Sequence, residues 1–156
     1  MFRLDHAVFP TRDAAASLSF YRETLGLPLV NALAGDDWGG RRWLMMIFGL
    51  AGGQELVRVA LEDGAVPEWA GPADARHYAF SVDTRAEWDA WRTRLADQGV
   101  VAWEEAHGER VSLYFRDPDD VILEITHPAS DARAEESADA LAEAKAWIAK
   151  VAARIV

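Results

Sequence analysis

Three residues have the types and settings that could hold a metal ion: His6 in LDHAVF, His77 in RHYAFSVD and Glu124 in VILEITHP. Two neutral imidazoles and a carboxylate bind a divalent first-row metal on one side and leave positions open for a substrate or oxygen, the arrangement of the facial triad of non-haem iron sites. Taken singly, each has a plainer explanation. A histidine on a strand is commonly a hydrogen-bonded core residue, and Glu124, between Leu123 and Ile125, is equally satisfied by a guanidinium such as that of Arg58 or Arg116. The metal reading rests on the three together.

The elements that must position them follow from periodicity. Residues 3–9 partly alternate, as in a strand with one buried face, and Pro10 ends the ladder because it has no N–H to donate. Asp13 caps a helix with Ala16, Leu18, Phe20, Tyr21 and Leu25 on its apolar face, and Gly26 stops it. Three strands follow, at 27–33, 42–50 and 55–61, with a turn at Gly52 and Gly53. After a connector at 64–75, marked by Gly64, Pro67, Gly71 and Pro72, the pattern restarts. A strand at 77–82 leads to a helix capped by Thr84 and stopped by Gly99, then strands at 100–104, 110–115 and 121–126. Both halves read βαβββ, and DHAVF and RHYAF each place histidine second and phenylalanine fifth, so one internal duplication accounts for the pattern.

Residues two apart on a strand share a face, so His77 lies with Ala79 and Ser81, opposite Tyr78 and Phe80. By the same rule Glu124 lies with Ile122 and Thr126, opposite Leu123 and Ile125. The expected fold is α+β: two βαβββ modules, 1–63 and 76–128, forming a cup-shaped mixed sheet with helices outside. His6, His77 and Glu124 converge inside the cup. The segment 129–156 is expected to form an amphipathic helix starting near Asp131, with Leu141, Ala144, Ile148, Val151 and Ile155 on one face. That face packs on its own domain or across a dimer.

Composition narrows the partners. The 156 residues carry a formal net charge of −10, which argues against a polyanion such as nucleic acid. There is no cysteine, so disulfides, thiolate metal sites and cysteine nucleophiles are excluded. No run of roughly 18 apolar residues is present to span a bilayer. A cytoplasmic protein acting on a small molecule, with no membrane partner, is expected.

The stretches LDHAVFPTRD with FYRETLGL, then HYAFSVD, then LYFRDPDDVILEITHP resemble the vicinal oxygen chelate superfamily, which includes glyoxalase I, fosfomycin-resistance thiol transferases, bleomycin-binding proteins and extradiol dioxygenases. The resemblance spans about residues 3 to 128. It implies paired βαβββ modules, a metal held by His6, His77 and Glu124, and chemistry that stabilises an oxyanion or a chelated intermediate. Fe(II) or Mn(II) is the favoured ion, with Zn(II) or Ni(II) as alternatives, and a homodimer is expected. Aligning ELVRVALED with VILEITHP puts Arg58 where glyoxalase I has an acidic ligand. A guanidinium cannot coordinate a cation, so Arg58 is expected to bind an anionic substrate group or to pair with Glu124 in a metal-free site.

His107, Leu113, Tyr114, Asp117, Pro118 and Glu124 follow the spacing of the extradiol dioxygenase signature, with Asp120 replacing its turn glycine and Glu105 departing from it. The resemblance thus implies catalytic roles for Tyr114, as a proton donor, and His107, as an acid or base; the plainer alternatives are core packing and an exposed loop. The favoured function is dioxygenase-like oxygenation of a small anionic or aromatic substrate. One alternative is a non-catalytic drug-binding protein whose cleft is lined by Trp38, Trp43, Trp69 and Trp103. The other is a glyoxalase- or thiol-transferase-like lyase.

Overall fold

The computed structural model describes residues 3–129 and 137–152. The first module contains β1 (His6–Thr11), α1 (Ala14–Ser19), β2 (Leu29–Gly35), β3 (Trp43–Gly49) and β4 (Glu55–Leu61). The second contains β5 (His77–Ser81), α2 (Arg85–Asp97), β6 (Ala102–His107), β7 (Arg110–Arg116) and β8 (Ile122–His127). A C-terminal helix, α3, runs over Ala138–Ala152. The α+β duplication is therefore present, as two separate four-stranded mixed sheets ordered β1-β4-β3-β2 and β5-β8-β7-β6. In each sheet the module's first strand runs parallel to its last, and the remaining pairs are antiparallel.

The core takes one face of each sheet together with the helices. Met46, Phe48 and Leu56 from the first sheet, Leu113, Phe115, Leu123 and Ile125 from the second, and Tyr21, Trp88 and Leu95 from the helical segments form one buried cluster. The α2 helix is fixed at its start by a reciprocal capping box between Thr84 and Glu87, and Trp88 donates its indole N–H to the Ile125 carbonyl at 3.0 Å. Helix α1 is capped by Asp13, which accepts from the Ala16 amide. It then widens into a π-helical turn over Phe20–Thr24, closed by a Leu25 N–H to Phe20 carbonyl bond, before Gly26 turns the chain at φ 72°.

Beyond the shared core, three features among the described residues tie the modules together. The rings of Phe9 and Tyr78 lie 4.0 Å apart, and Arg94 of α2 donates to the carbonyls of Glu23 and Thr24. The third is a buried ion cluster. Arg58 on β4 pairs with Asp117, at 3.1 Å, and with Asp119, both on the turn between β7 and β8. Tyr21 donates to Asp117 at 2.8 Å, and the Arg12 amide donates to Asp119 at 2.8 Å. Burial pushes the Tyr21 phenol well above its ordinary value, so it keeps the proton it donates.

Element limits differ from the sequence expectation in several places, and β1 most plainly: it starts at His6 rather than residue 3 and runs through Pro10 to Thr11, because Pro10 sits on an edge strand where a missing N–H costs little. β2 starts at Leu29 rather than residue 27, and β6 extends to His107, which puts that residue on a strand end before the Gly108 turn. The expected start of the tail helix at Asp131 falls outside the described residues, as does Ile155. Among the described residues α3 is not covered by its own domain over most of its length: from Ala138 to Lys150 every residue is exposed, and Val151 is half-buried.

Candidate metal centre

Strand alternation places His77, Ala79 and Ser81 on the exposed face of β5, away from the half-buried Tyr78 and Phe80. The β5–β8 register sets Ala79 beside Glu124. Glu124 is only 7% exposed, yet among the described residues its carboxylate has no arginine partner: Oε2 lies 3.2 Å from His77 Nε2, and Oε1 accepts from the Ser112 hydroxyl at 2.5 Å. Thr126 Oγ1 lies 3.2 Å from the same hydroxyl, so a short polar row backs the carboxylate.

His77 is held on its other side as well. Its Nδ1 lies 2.9 Å from the Asp74 carbonyl, an acceptor only, so Nδ1 carries the proton. Nε2 is then the ring nitrogen that faces a carboxylate oxygen, and in the neutral form of the ring it presents a lone pair. Two lone-pair atoms at 3.2 Å require a cation between or beside them, either a proton or a metal ion. The outer hydrogen bonds, Nδ1–H to a carbonyl and hydroxyl to carboxylate, are those that orient metal ligands. The donor set suits a divalent first-row ion.

His6 is not part of this pair. It lies on the first sheet, half exposed, with Nδ1 2.7 Å from Asp5 Oδ1, a contact that leaves Nε2 unused. Among the described residues no group of three or more His, Asp or Glu side chains comes together to hold a metal. Within one chain the structure thus joins two of the three expected ligands.

Arg58 departs from both roles expected of it. Its guanidinium is fully buried and taken by Asp117 and Asp119, so it has no exposed face for a substrate and makes no pair with Glu124. It also does not occupy the place equivalent to Glu124. β1 and β4 pair Val8 with Val57, while β5 and β8 pair Ala79 with Glu124. With His6 matched to His77, Val8 matches Ala79 and Val57 matches Glu124. Arg58 points to the opposite face of the sheet, where its counterpart is Ile125.

Tyr114 lies across from Glu124 in the β7–β8 register and across from Trp103 in the β6–β7 register. Its ring stacks on Trp103 at 5.5 Å and meets the His77 ring edgewise at 6.0 Å. The phenol oxygen is 3.2 Å from His107 Nε2, which is also 3.6 Å from a Glu105 oxygen. Burial raises the Tyr114 phenol above its ordinary value, and the negative charges of Glu124 and Glu105 add to that effect. Of the four tryptophans expected to line a drug cleft, only Trp103 stands here. Trp38 packs edgewise on Trp43, and Trp69 takes Arg76 over its ring. A cavity of about 500 Å³ opens instead at the module junction, with Val8, Arg12, Trp69, Arg76, Tyr78 and Arg116 in its lining.

Sequence reasoning missed Ser112 and the Asp74 carbonyl. Ser112 was open to discovery, since it sits two residues from Tyr114 on the same face. The carbonyl was not, because it depends on the short 3-10 turn at Ala73–Ala75 that folds the connector back to β5.

Comparison with known proteins agrees with this architecture. The chain is 29% identical over 122 residues to glutathione transferase FosA of Serratia marcescens, covering 78% of each protein. A solved glyoxylase/bleomycin resistance protein/dioxygenase domain from Frankia sp. EAN1pec superposes with a TM-score of 0.67 at 25% identity, covering 81% of this chain and 97% of that one. The fosfomycin resistance protein FosX from Mesorhizobium loti shares the fold, with a TM-score of 0.59 at 20% identity over 83% of this chain and 94% of its own. The sequence model of one family matches residues 3–125, and the chain belongs to that family, the Glyoxalase/Bleomycin resistance protein/Dioxygenase superfamily.

Proposed function

We propose that this protein is a metal-dependent enzyme of the superfamily, a homodimer in which His77 and Glu124 of one copy share a divalent ion with His6 of a second copy. The observation that carries the reading is the His77–Glu124 pair, two ligand atoms 3.2 Å apart with their outer atoms already engaged by Asp74 and Ser112. The half-exposed imidazole of His6, whose Nε2 is not used by its contact with Asp5, supplies what the pair lacks. Fe(II) or Mn(II) is the favoured ion, with Zn(II) and Ni(II) as alternatives.

The metal would polarise neighbouring oxygens of a small substrate and stabilise the negative charge that develops on them. The chain's own residues do the rest. Tyr114 keeps its proton at neutral pH and donates it toward the substrate, and His107, within hydrogen-bond reach of the phenol, restores it. Trp103 holds the phenol ring in place by stacking.

Oxygenation of the ring-cleaving kind is the favoured reaction, supported by the Tyr114–His107 contact. Thiol transfer is the second reading, supported by the similarity to glutathione transferase FosA.

Metal analysis of protein purified without chelators tests the proposal: wild type is expected to hold a stoichiometric divalent metal, and Glu124→Gln to lose it. No metal in wild type, with melting unchanged by Fe(II), Mn(II), Ni(II) or Zn(II), overturns the proposal and favours a binding protein without chemistry. Oxygen uptake with a catechol, against adduct formation with glutathione, separates the two reactions.

A further inference from the structure

Helix α3 carries an apolar stripe that the described residues leave exposed at Leu141, Ala144 and Ile148 and half-buried at Val151. Leu141, Trp147 and Ile148 are 38%, 62% and 60% exposed. Leu141, Ala144, Ile148 and Val151 follow at steps of three and four, and Ile155 continues the series in the sequence, which is the seam pattern of a two-helix pair. Fifteen residues is about the length at which an isolated helix is marginal in water, so covering that stripe is what stabilises it. The ends carry opposite charge: Asp139 lies in the first turn and Lys150 in the last. The sequence extends this polarity, with Glu135 and Glu136 before the helix and Arg154 after it.

We propose that α3 pairs antiparallel with the α3 of a second copy of this chain. Charge complementarity sets the occupant and the direction. An antiparallel pair lays each acidic start beside the other helix's basic end, whereas a parallel pair sets like charges together. The two-fold axis then passes between Ala144 and Ile148, and Ala144 faces Ile148 of the partner subunit while Leu141 faces Val151 of the partner subunit. A seam about 22 Å long is too short to supply by itself the roughly 1,200 Å² or more of a stable interface. The pairing therefore rests on the two-copy reading of the metal centre: it adds to the contact that brings His6 to the other copy.

The absence of cysteine makes the test direct. Under mild oxidation the double variant Ala144→Cys/Ile148→Cys is expected to give a covalent dimer, and Ala144→Cys alone to give little. Efficient cross-linking of the single variant shows a parallel pair and overturns the proposal, as does no cross-linking in either. Leu141→Asp/Ile148→Asp is expected to weaken dimerisation by about tenfold or more in sedimentation, with circular dichroism showing the modules still folded. An unchanged dissociation constant overturns the pairing. Wild-type protein that dimerises and binds metal while α3 fails these tests sinks only the helix pairing; cross-linked α3 in a protein that binds no metal sinks only the metal reading.

Discussion

Arg58 and Glu124 are both buried charges, and each is answered by a different chemistry. Arg58 meets two carboxylates and Glu124 meets an imidazole and a hydroxyl. Removing the arginine leaves Asp117 buried without a cation and Asp119 with only the half-exposed Arg12 guanidinium, 3.8 Å away. Arg58→Ala is therefore expected to lower the unfolding free energy in urea by about 3–5 kcal/mol while leaving metal binding intact in the folded fraction. Tyr114→Phe should do the reverse, cutting turnover by roughly 10²–10⁴-fold with metal content and stability little changed, if the phenol is the proton donor. Steady-state rates beside metal analysis separate the two outcomes. The sequence made Glu124 legible through Leu123 and Ile125 on either side, and it misled at Arg58 for a physical reason. On a strand, a slip of one residue exchanges the two faces, and alignment without hydrogen-bond register cannot resolve a single step. The true counterpart, Val57, is an ordinary strand residue and gave no signal.

At the scale of elements, legibility followed how local the cause is. The α2 helix is set by Thr84, Glu87 and the stop at Gly99, all within or beside it, and its start is the one expected. Thr84→Ala removes the hydroxyl that accepts from the Glu87 amide, and a loss of about 1 kcal/mol is expected in urea denaturation. The π-helical turn over Phe20–Thr24 was not legible, because its wide step aligns with a distant need: Tyr21 must reach Asp117 on the other module. The turn at Asp120 was legible. Its φ of 63° is one that aspartate tolerates better than most residues, and the position needs it where the chain reverses between β7 and β8.

For the whole molecule, the duplication showed in the repeated histidine pentapeptide and the two glycine stops, and it gave the architecture. It did not give the partner of each half-site, because equivalent strands cup together equally well within one chain or between two. Mixing the variants His6→Ala and Glu124→Gln decides this. Each alone is expected to lose metal, and subunit exchange should restore it to about a quarter of all sites, since each mixed dimer of a two-fold assembly regains one complete site. Failure to recover metal, with mixed dimers shown to form, rules out the shared centre. The ion cluster at Arg58 has a further consequence for a protein built by duplication. Arginine stands on the first module alone, with Ile125 at its counterpart, and the carboxylates stand on the second alone, because the first module's equivalent turn, Leu-Ala-Gly-Gly-Gln at 50–54, has no acid. Two first modules brought together would bury two uncompensated cations, and two second modules would bury four carboxylates. The joint works as a keyed fitting, recognising unlike halves and refusing like ones, so near-copies of one ancestral unit assemble in a single order.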